Sequence, residues 1–587
     1  MSTSSSNDGF FQNMVLGHPA GLFVLFFTEM WERFSYYGMR AILVIFLTGA
    51  ILGDNPGWAW DTESALSLLG TYAMLVYLTP LLGGWLADNK IGYRMAVVIG
   101  ALLMTLGHAA MAVETPLFLY IGISFLILGN GFFKPNMTSI ISKMYEGHDE
   151  KKDGAYNLFY MGVNAGAFLG IMMCGWVGEK VGWSYGFGLA GIFMFLGMLQ
   201  FYFAQPLFGE IGDKPEAGQK ESKKAELAAD SSTKLNHFQL IDWVIMGIFA
   251  LSALVFIVND PLSKIGGINT FNFTVGGMED SLFFALVAAL SFILLLIIRI
   301  PRYVRIERDR MIAFGIFCIF TVFFWAAFEQ AAGSLPIYIR DFTSRILEGG
   351  AATTFKVVDL IVTIVPLAII TYVLISLFRK TFNQIGVSNT ILGFSFVIVW
   401  AIVLFKLYTE LQSSDTEVPV TWFAILNSLF IIIFAPLFTK WWDSKFNPPA
   451  SVKYFLGLAL LGLGFAFLAF GARNVPSGAE SASLSMFWVV MAYLFHTLGE
   501  LCLSPMGLSY LSKLIPVRMI AFMFGVYYLS IAIGNKLAHY VGGNIENITA
   551  QYSLSTFFLI FTLIPIGLGV VALLLHPLLK RLMHGVK

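Results

Sequence analysis

Glu29-Met30-Trp31-Glu32-Arg33-Phe34-Ser35-Tyr36-Tyr37-Gly38, with Arg40 two positions further on, lies inside the first long apolar segment, residues 21–50. A charge at the middle of a bilayer costs about 2.5–3.5 kcal/mol even on lenient insertion scales, so ionisable groups in a spanning helix usually face a polar interior and mark a pathway. At about 100° per residue, Glu29, Glu32, Arg33, Tyr36 and Arg40 fall within roughly 60° either side of one line along a helix. The stretch therefore reads as a membrane helix carrying one polar stripe. Two carboxylates beside two arginines exceed what ion pairing between helices alone requires.

Composition extends this reading to the whole chain. Its 587 residues are 57% apolar and only 12% charged, with a mean hydropathy of +0.76. A soluble domain carries about 25% charged residues, so the class is an all-α polytopic membrane protein. Formal net charge is zero, which leaves no basic surplus for nucleic acid. Cys174, Cys318 and Cys502 all fall in apolar segments and suggest neither a disulfide framework nor a metal site. No nucleotide-binding loop and no supported Ser/His/Asp arrangement is present, so an enzyme is not expected. The N-terminal MSTSSSNDGFFQ lacks a basic leader region and is expected to be retained.

Sixteen stretches qualify as candidate spans: 21–50, 65–87, 95–113, 116–141, 156–178, 185–204, 239–258, 281–300, 311–337, 356–378, 389–408, 420–441, 452–472, 485–510, 517–541 and 552–576. With the N-terminus placed inside and residues at span ends counted with the adjoining loop, 25 Lys and Arg fall on the inner side, seven on the outer side and four deep within spans. That bias places both termini on the cytoplasmic side. The expected organisation is a six-helix bundle over 14–204, a charged cytoplasmic linker over 205–238 and an inserted hairpin over 239–300. The first helix of a second bundle follows over 311–340, then a second inserted hairpin over 356–408, then five further helices over 420–577. Two halves joined by a cytoplasmic link suggest rocking about a central site.

Further polar groups sit inside spans: Lys134 before Pro135, Asn164 among small residues, Glu329-Gln330, Asn427, Glu500 with Ser504-Pro505, and Lys536. A lysine followed by proline predicts a counter-charge and a local helix break. Glu29, Glu32, Glu329 and Glu500 match Arg33, Arg40, Lys134 and Lys536 in number. Protonating one acid would therefore free a cation, which is the physical core of a proton-coupled switch. His108 and His496 read as packing or hydrogen-bonding residues.

These motifs resemble the proton-dependent oligopeptide transporter (POT/PTR) family of the major facilitator superfamily. The family's ExxERFxYYG pattern is matched in full at Glu29 to Gly38. The Phe159-Tyr160…Asn164…Gly166-Ala167 stretch, the Glu329-Gln330 pair and Gly499-Glu500…Ser504-Pro505…Gly507-Leu508 match in order. The resemblance implies two six-helix bundles plus inserted hairpins, and a symporter of di- and tripeptides that needs no cofactor and uses protons as coupling ion. It implies proton-coupling roles for Glu29, Glu32, Arg33 and Glu329. Arg33 and Lys134 would take the peptide carboxylate, with Lys134 also pairing with Glu32 or Glu29. Asn164, Asn427 and Glu500 would clamp the backbone and amino terminus, and Tyr36, Tyr37, Tyr72 or Tyr77, Ser504 and Tyr527 would line the pocket. Arg40 and Glu329 would form an outer gate. Gly84–Arg94 resembles the superfamily's inner loop, with Asp88 and Arg94 bracing the inner side. Residues 239–300 fit the family's usual hairpin, whereas residues 356–408 look like an additional one. Tyr527 stands where Trp is usual. The implied partners are small peptides, protons and a lipid bilayer, in the plasma (inner) membrane. A different substrate on the same fold, such as nitrate or an organic anion, is the alternative. Glu500 argues against it, because a simple anion needs no acidic partner.

Overall fold

The computed structural model describes residues 14–214, 236–264, 267–276, 278–413, 416–514 and 520–586. Most of the 205–238 linker lies outside these residues. The described chain is helical apart from short antiparallel two-residue ribbons. The helices are α1 Ala20–Thr48, α2 Thr62–Leu86, α3 Tyr93–Met111, α4 Pro116–Met144, α5 Asp149–Lys180 and α6 Trp183–Ala204. After the linker come α7 Leu240–Lys264, α8 Asp280–Arg299, α9 Arg305–Phe328, α10 Ser334–Phe342 and α11 Gly349–Gln412. The chain ends with α12 Trp422–Trp442, α13 Ala450–Gly471, α14 Met486–Leu514, α15 Ile520–Gly543, α16 Ile545–Gln551, α17 Leu554–Leu574 and α18 His576–Leu582.

Among the described residues, thirteen helices are long and apolar enough to cross a membrane by length and composition. One of these, α11, reverses at Ile385 (φ −131°, ψ 45°) into two limbs. The four charges of α1 exclude it from that count. The expected break at Pro135 is absent, and α4 runs through it unbroken.

Packing divides the helices into two groups. In the first, α1 lies against α5 and α6, and α3 against α4 and α6. In the second, α13 lies against α14 and α17, and α9 against α15. The groups meet where α2 packs on α15, α5 on α12 and α1 on α10. Small residues set the closest approach. Gly162, Gly166 and Gly170 recur every four residues on α5 and face Phe26, Met30 and Phe34, equally spaced on α1. A Cβ on Gly166 would stand 2.2 Å from the Met30 carbonyl oxygen, and one on Gly170 2.2 Å from that of Phe34. Helices approach this closely in membranes through small-residue faces, because lipid supplies no hydrophobic drive between them. Gly166→Ala is therefore expected to push α1 off α5 and destabilise the fold by about 1–3 kcal/mol, the usual cost of overpacking. Thermal unfolding in detergent checks this, and an unchanged midpoint would refute the close contact.

In the 84–94 loop, Gly92 has φ +81°, and a Cβ there would stand 2.7 Å from the Asp213 backbone. The Asp88 carboxylate accepts from the Tyr93 hydroxyl at 2.6 Å. Arg94 pairs with Asp213 and donates to the Gln205 carbonyl, so it ties the loop to the chain that follows α6.

The α11 hairpin departs most from its sequence reading. It is joined in sequence to α10 and α12 of the second group, yet it packs on α6, α5 and α1 of the first. Phe396 meets the rings of Phe27 and Trp31, each at 5.7 Å, and the Ser388 hydroxyl donates to the Gln200 carbonyl at 2.7 Å. Asp359 and Lys406, one on each apolar limb, are both buried, 1% and 3% exposed, and bonded to each other at 2.5 Å. The long lysine stem brings its ammonium back along the partner limb, where a buried charge needs a counter-charge.

Candidate functional site

On α1 the predicted stripe closes into a cluster. Arg33 Nε donates to Glu29 Oε1 at 2.8 Å and lies 2.9 Å from Glu32 Oε2, the latter an ion pair off the hydrogen-bond direction. Glu32 Oε1 accepts from Asn130 Nδ2 of α4 at 2.9 Å. Exposures of 3%, 0% and 6% for Glu29, Glu32 and Arg33 put all three out of water. Two carboxylates thus share one guanidinium, an arrangement in which one acid can take a proton without leaving the arginine unpaired. The expected pair between Lys134 and Glu32 or Glu29 is not made. Lys134 Nζ sits 4.5 Å above the Tyr77 ring, and among the described residues it has no ion pair. Arg33 already occupies the faces of both carboxylates, and the aromatic face offers the lysine an alternative seat.

Tyr36 lies between two cations, with Arg33 5.8 Å and Arg40 6.0 Å from its ring centre. It packs on Tyr37 and on the buried Tyr72. Arg40 pairs with Glu329 across the two helical groups. Glu329 sits in a single 3₁₀ turn after α9, where Gln330 donates to the Ala538 carbonyl of α15 at 2.7 Å.

In the second group, Asn427 of α12 donates to Glu500 Oε2 of α14 at 2.9 Å and to the Thr497 hydroxyl at 3.1 Å. A cavity between the groups is lined by Tyr37, Arg40, Glu329, Asn427, Tyr493 and Thr421, with apolar residues between them. It brings together the Arg40–Glu329 pair and the Asn427 end of the Asn427–Glu500 pair. Arg33 and Lys134 do not line it. Asn164 bonds within its own helix, to the Tyr160 carbonyl at 2.9 Å. Tyr527 is half-buried beside Tyr528, which faces Tyr77. The Ser504 side chain lies outside the described residues.

Several contacts were not anticipated from the sequence. Lys536, one of the cations placed inside spans, pairs with Asp260 of α7 and donates to the Thr71 hydroxyl of α2 at 3.0 Å. Glu179 of α5 accepts from Val420 N and Thr421 N, each at 2.9 Å, and from the Thr421 hydroxyl at 2.6 Å. Glu417 in the loop before α12 lies between Lys180 and Arg345. Burial alone would raise its carboxyl, and the two cations outweigh that and hold it below the ordinary range. Together with Arg40–Glu329, these contacts close the groups at the lysine- and arginine-poor end. Acidic residues near span ends were a visible signal, but their partners are distant in sequence.

The sequence profile of the POT family matches residues 94–409 and 401–558. A peptide transporter of Yersinia enterocolitica, YePEPT, is 30% identical over 93% of this chain and 91% of its own length. A di-/tripeptide transporter of Lactococcus lactis is 27% identical over 97% of this chain and 98% of its own. Among solved structures, a crystal structure of peptide transporter POT in complex with sulfate superposes with a TM-score of 0.68 and 29% identity, over 99% of this chain and 100% of that one.

Proposed function

The chain belongs to the POT family, and from that membership we propose that it is a symporter carrying di- and tripeptides into the cell with protons, across the plasma (inner) membrane, by alternating access. The lysine- and arginine-poor end faces outward on this reading, and the Arg40–Glu329 pair holds the outer gate closed. In this reading the 14–204 bundle and the bundle made of 311–340 and 420–577 are the moving halves. The carrying observation is the pair of carboxylates sharing Arg33 on one half, with Glu500 held by a neutral Asn427 on the other. The first can exchange a proton in place. The second offers a charge that no cation among the described residues answers, suited to a peptide amino group. Arg33 and Lys134 take the peptide carboxylate. Tyr36, Tyr37, Tyr72 and Tyr527 shape the pocket, with Asn164 and Ser504 as further polar contacts. Arg40 and Glu329 form the outer gate, and Asp88 and Arg94 brace the inner loop.

Relatives named as peptide and di-/tripeptide transporters support the substrate class. Exchange of a labelled dipeptide across proteoliposomes, competed by unlabelled dipeptide, nitrate or a simple organic acid, tests it. Exchange competed by dipeptide alone is expected, and vesicles that show no exchange of the dipeptide above protein-free vesicles would refute the assignment.

A further inference from the structure

The α11 hairpin rides on one helical group and reaches the other at the start of α12, where Phe355 packs on Trp422. Its apolar seam, including Leu367, Leu374, Phe396 and Val403, belongs to the cluster built around Phe27, Trp31 and Phe193 of the first group. Its two connecting strands, Ile346–Leu347 and Thr416–Glu417, pair with each other, and the first is tied to the second group where Ser344 N donates to the Leu484 carbonyl. Between strand and hairpin stands Gly349 with φ +55°, a left-handed conformation that glycine adopts without strain.

Ten residues into the hairpin, Asp359 Oδ1 accepts from Trp422 Nε1 at 2.9 Å. Trp422 is the first residue of α12. The other Asp359 oxygen is held by Lys406, whose ammonium also bonds Glu410 at 3.0 Å. The Lys406 contact fixes Asp359 in place, and the Trp422 bond is what this buried cluster adds to the second group. Residues 420–422 are thereby grasped from the first-group side by two carboxylates, Glu179 of α5 and Asp359 of the hairpin. Outward opening must draw the start of α12 away from both.

We propose that the extra hairpin is a latch on the outer gate: it travels with the first half and, through Asp359 and Trp422, holds the first turn of α12 in the closed position. Asp359 and Trp422 are positioning residues and touch no substrate. The inference rests on the alternating-access reading above.

Spin labels on Val181→Cys and Glu480→Cys, in the full-length protein in lipid, report the outer distance between the halves. Trp422→Phe removes the indole donor while keeping an aromatic ring against Phe355, and is expected to shift the closed-to-open ratio about tenfold toward open, the usual yield of one hydrogen bond to a charged group. Asp359→Ala is expected to shift it equally, and the double variant no further. Asp359→Asn, which keeps an acceptor for the indole, should shift it less. Unmoved distances in Trp422→Phe and Asp359→Ala overturn the latch, even if thermal stability falls. Additive shifts overturn it too, since the two residues would then act separately. A single unchanging distance in the unmodified chain, with or without dipeptide and at any pH, overturns alternating access itself and the latch with it.

Discussion

Glu32→Gln is expected to abolish accumulation of peptide against a gradient while sparing exchange of peptide across the membrane. Glu32 is fully buried, shares Arg33 with Glu29 and accepts from Asn130. A glutamine keeps the shape and an oxygen for Asn130. Arg33 then retains one partner, Glu29, in a neutral pair that has no reason to take up a proton. With nothing to protonate, the two halves can still return loaded with peptide, but proton flow no longer drives the cycle. Labelled dipeptide should equilibrate across the vesicle wall instead of concentrating inside. Glu29→Gln leaves the mirror arrangement, so it is the necessary companion experiment. Full accumulation by both single variants would remove the acid pair from the coupling step.

The second large effect concerns Glu500. Asn427 holds its carboxylate without neutralising it, so in the proposed complex the peptide ammonium supplies the missing charge. Truncating one partner of a buried charge contact costs about 2–5 kcal/mol, which is about 30-fold or more in affinity. Glu500→Gln preserves the bond from Asn427 and should therefore weaken dipeptide binding by that factor without disturbing α12 or α14. An N-acetylated dipeptide, which lacks the ammonium, should bind the variant and the unmodified protein alike. Calorimetric titration reads both, and equal affinity for the free dipeptide would place the amino terminus elsewhere.

The fold class and the family were legible because they rest on features local in sequence: span-length apolar runs, and a stripe at helical spacing on α1. The pairing of Arg33 with Glu29 belongs to the same class, being one turn of one helix. What sequence could not convey depends on long-range packing. Lys134 has a tyrosine ring beneath it, and no spacing rule connects positions 134 and 77. The partner of Lys536, Asp260, lies in a hairpin 276 residues away, so no local pattern could name it. The α11 hairpin reads as nearly uniform apolar sequence, and nothing in such a run says which neighbouring helices it will cover. Its two buried charged residues, Asp359 and Lys406, were visible in sequence. Their meeting required the turn at Ile385 to bring the limbs side by side.

The most direct measurement is simultaneous: labelled dipeptide and luminal pH followed in proteoliposomes holding the unmodified protein, with and without an imposed inward acid gradient. Peptide should accumulate above its outside concentration only with the gradient, and adding peptide should speed acidification of the lumen. Dipeptide uptake that proceeds equally in both conditions, with no proton movement accompanying it, contradicts proton-coupled transport.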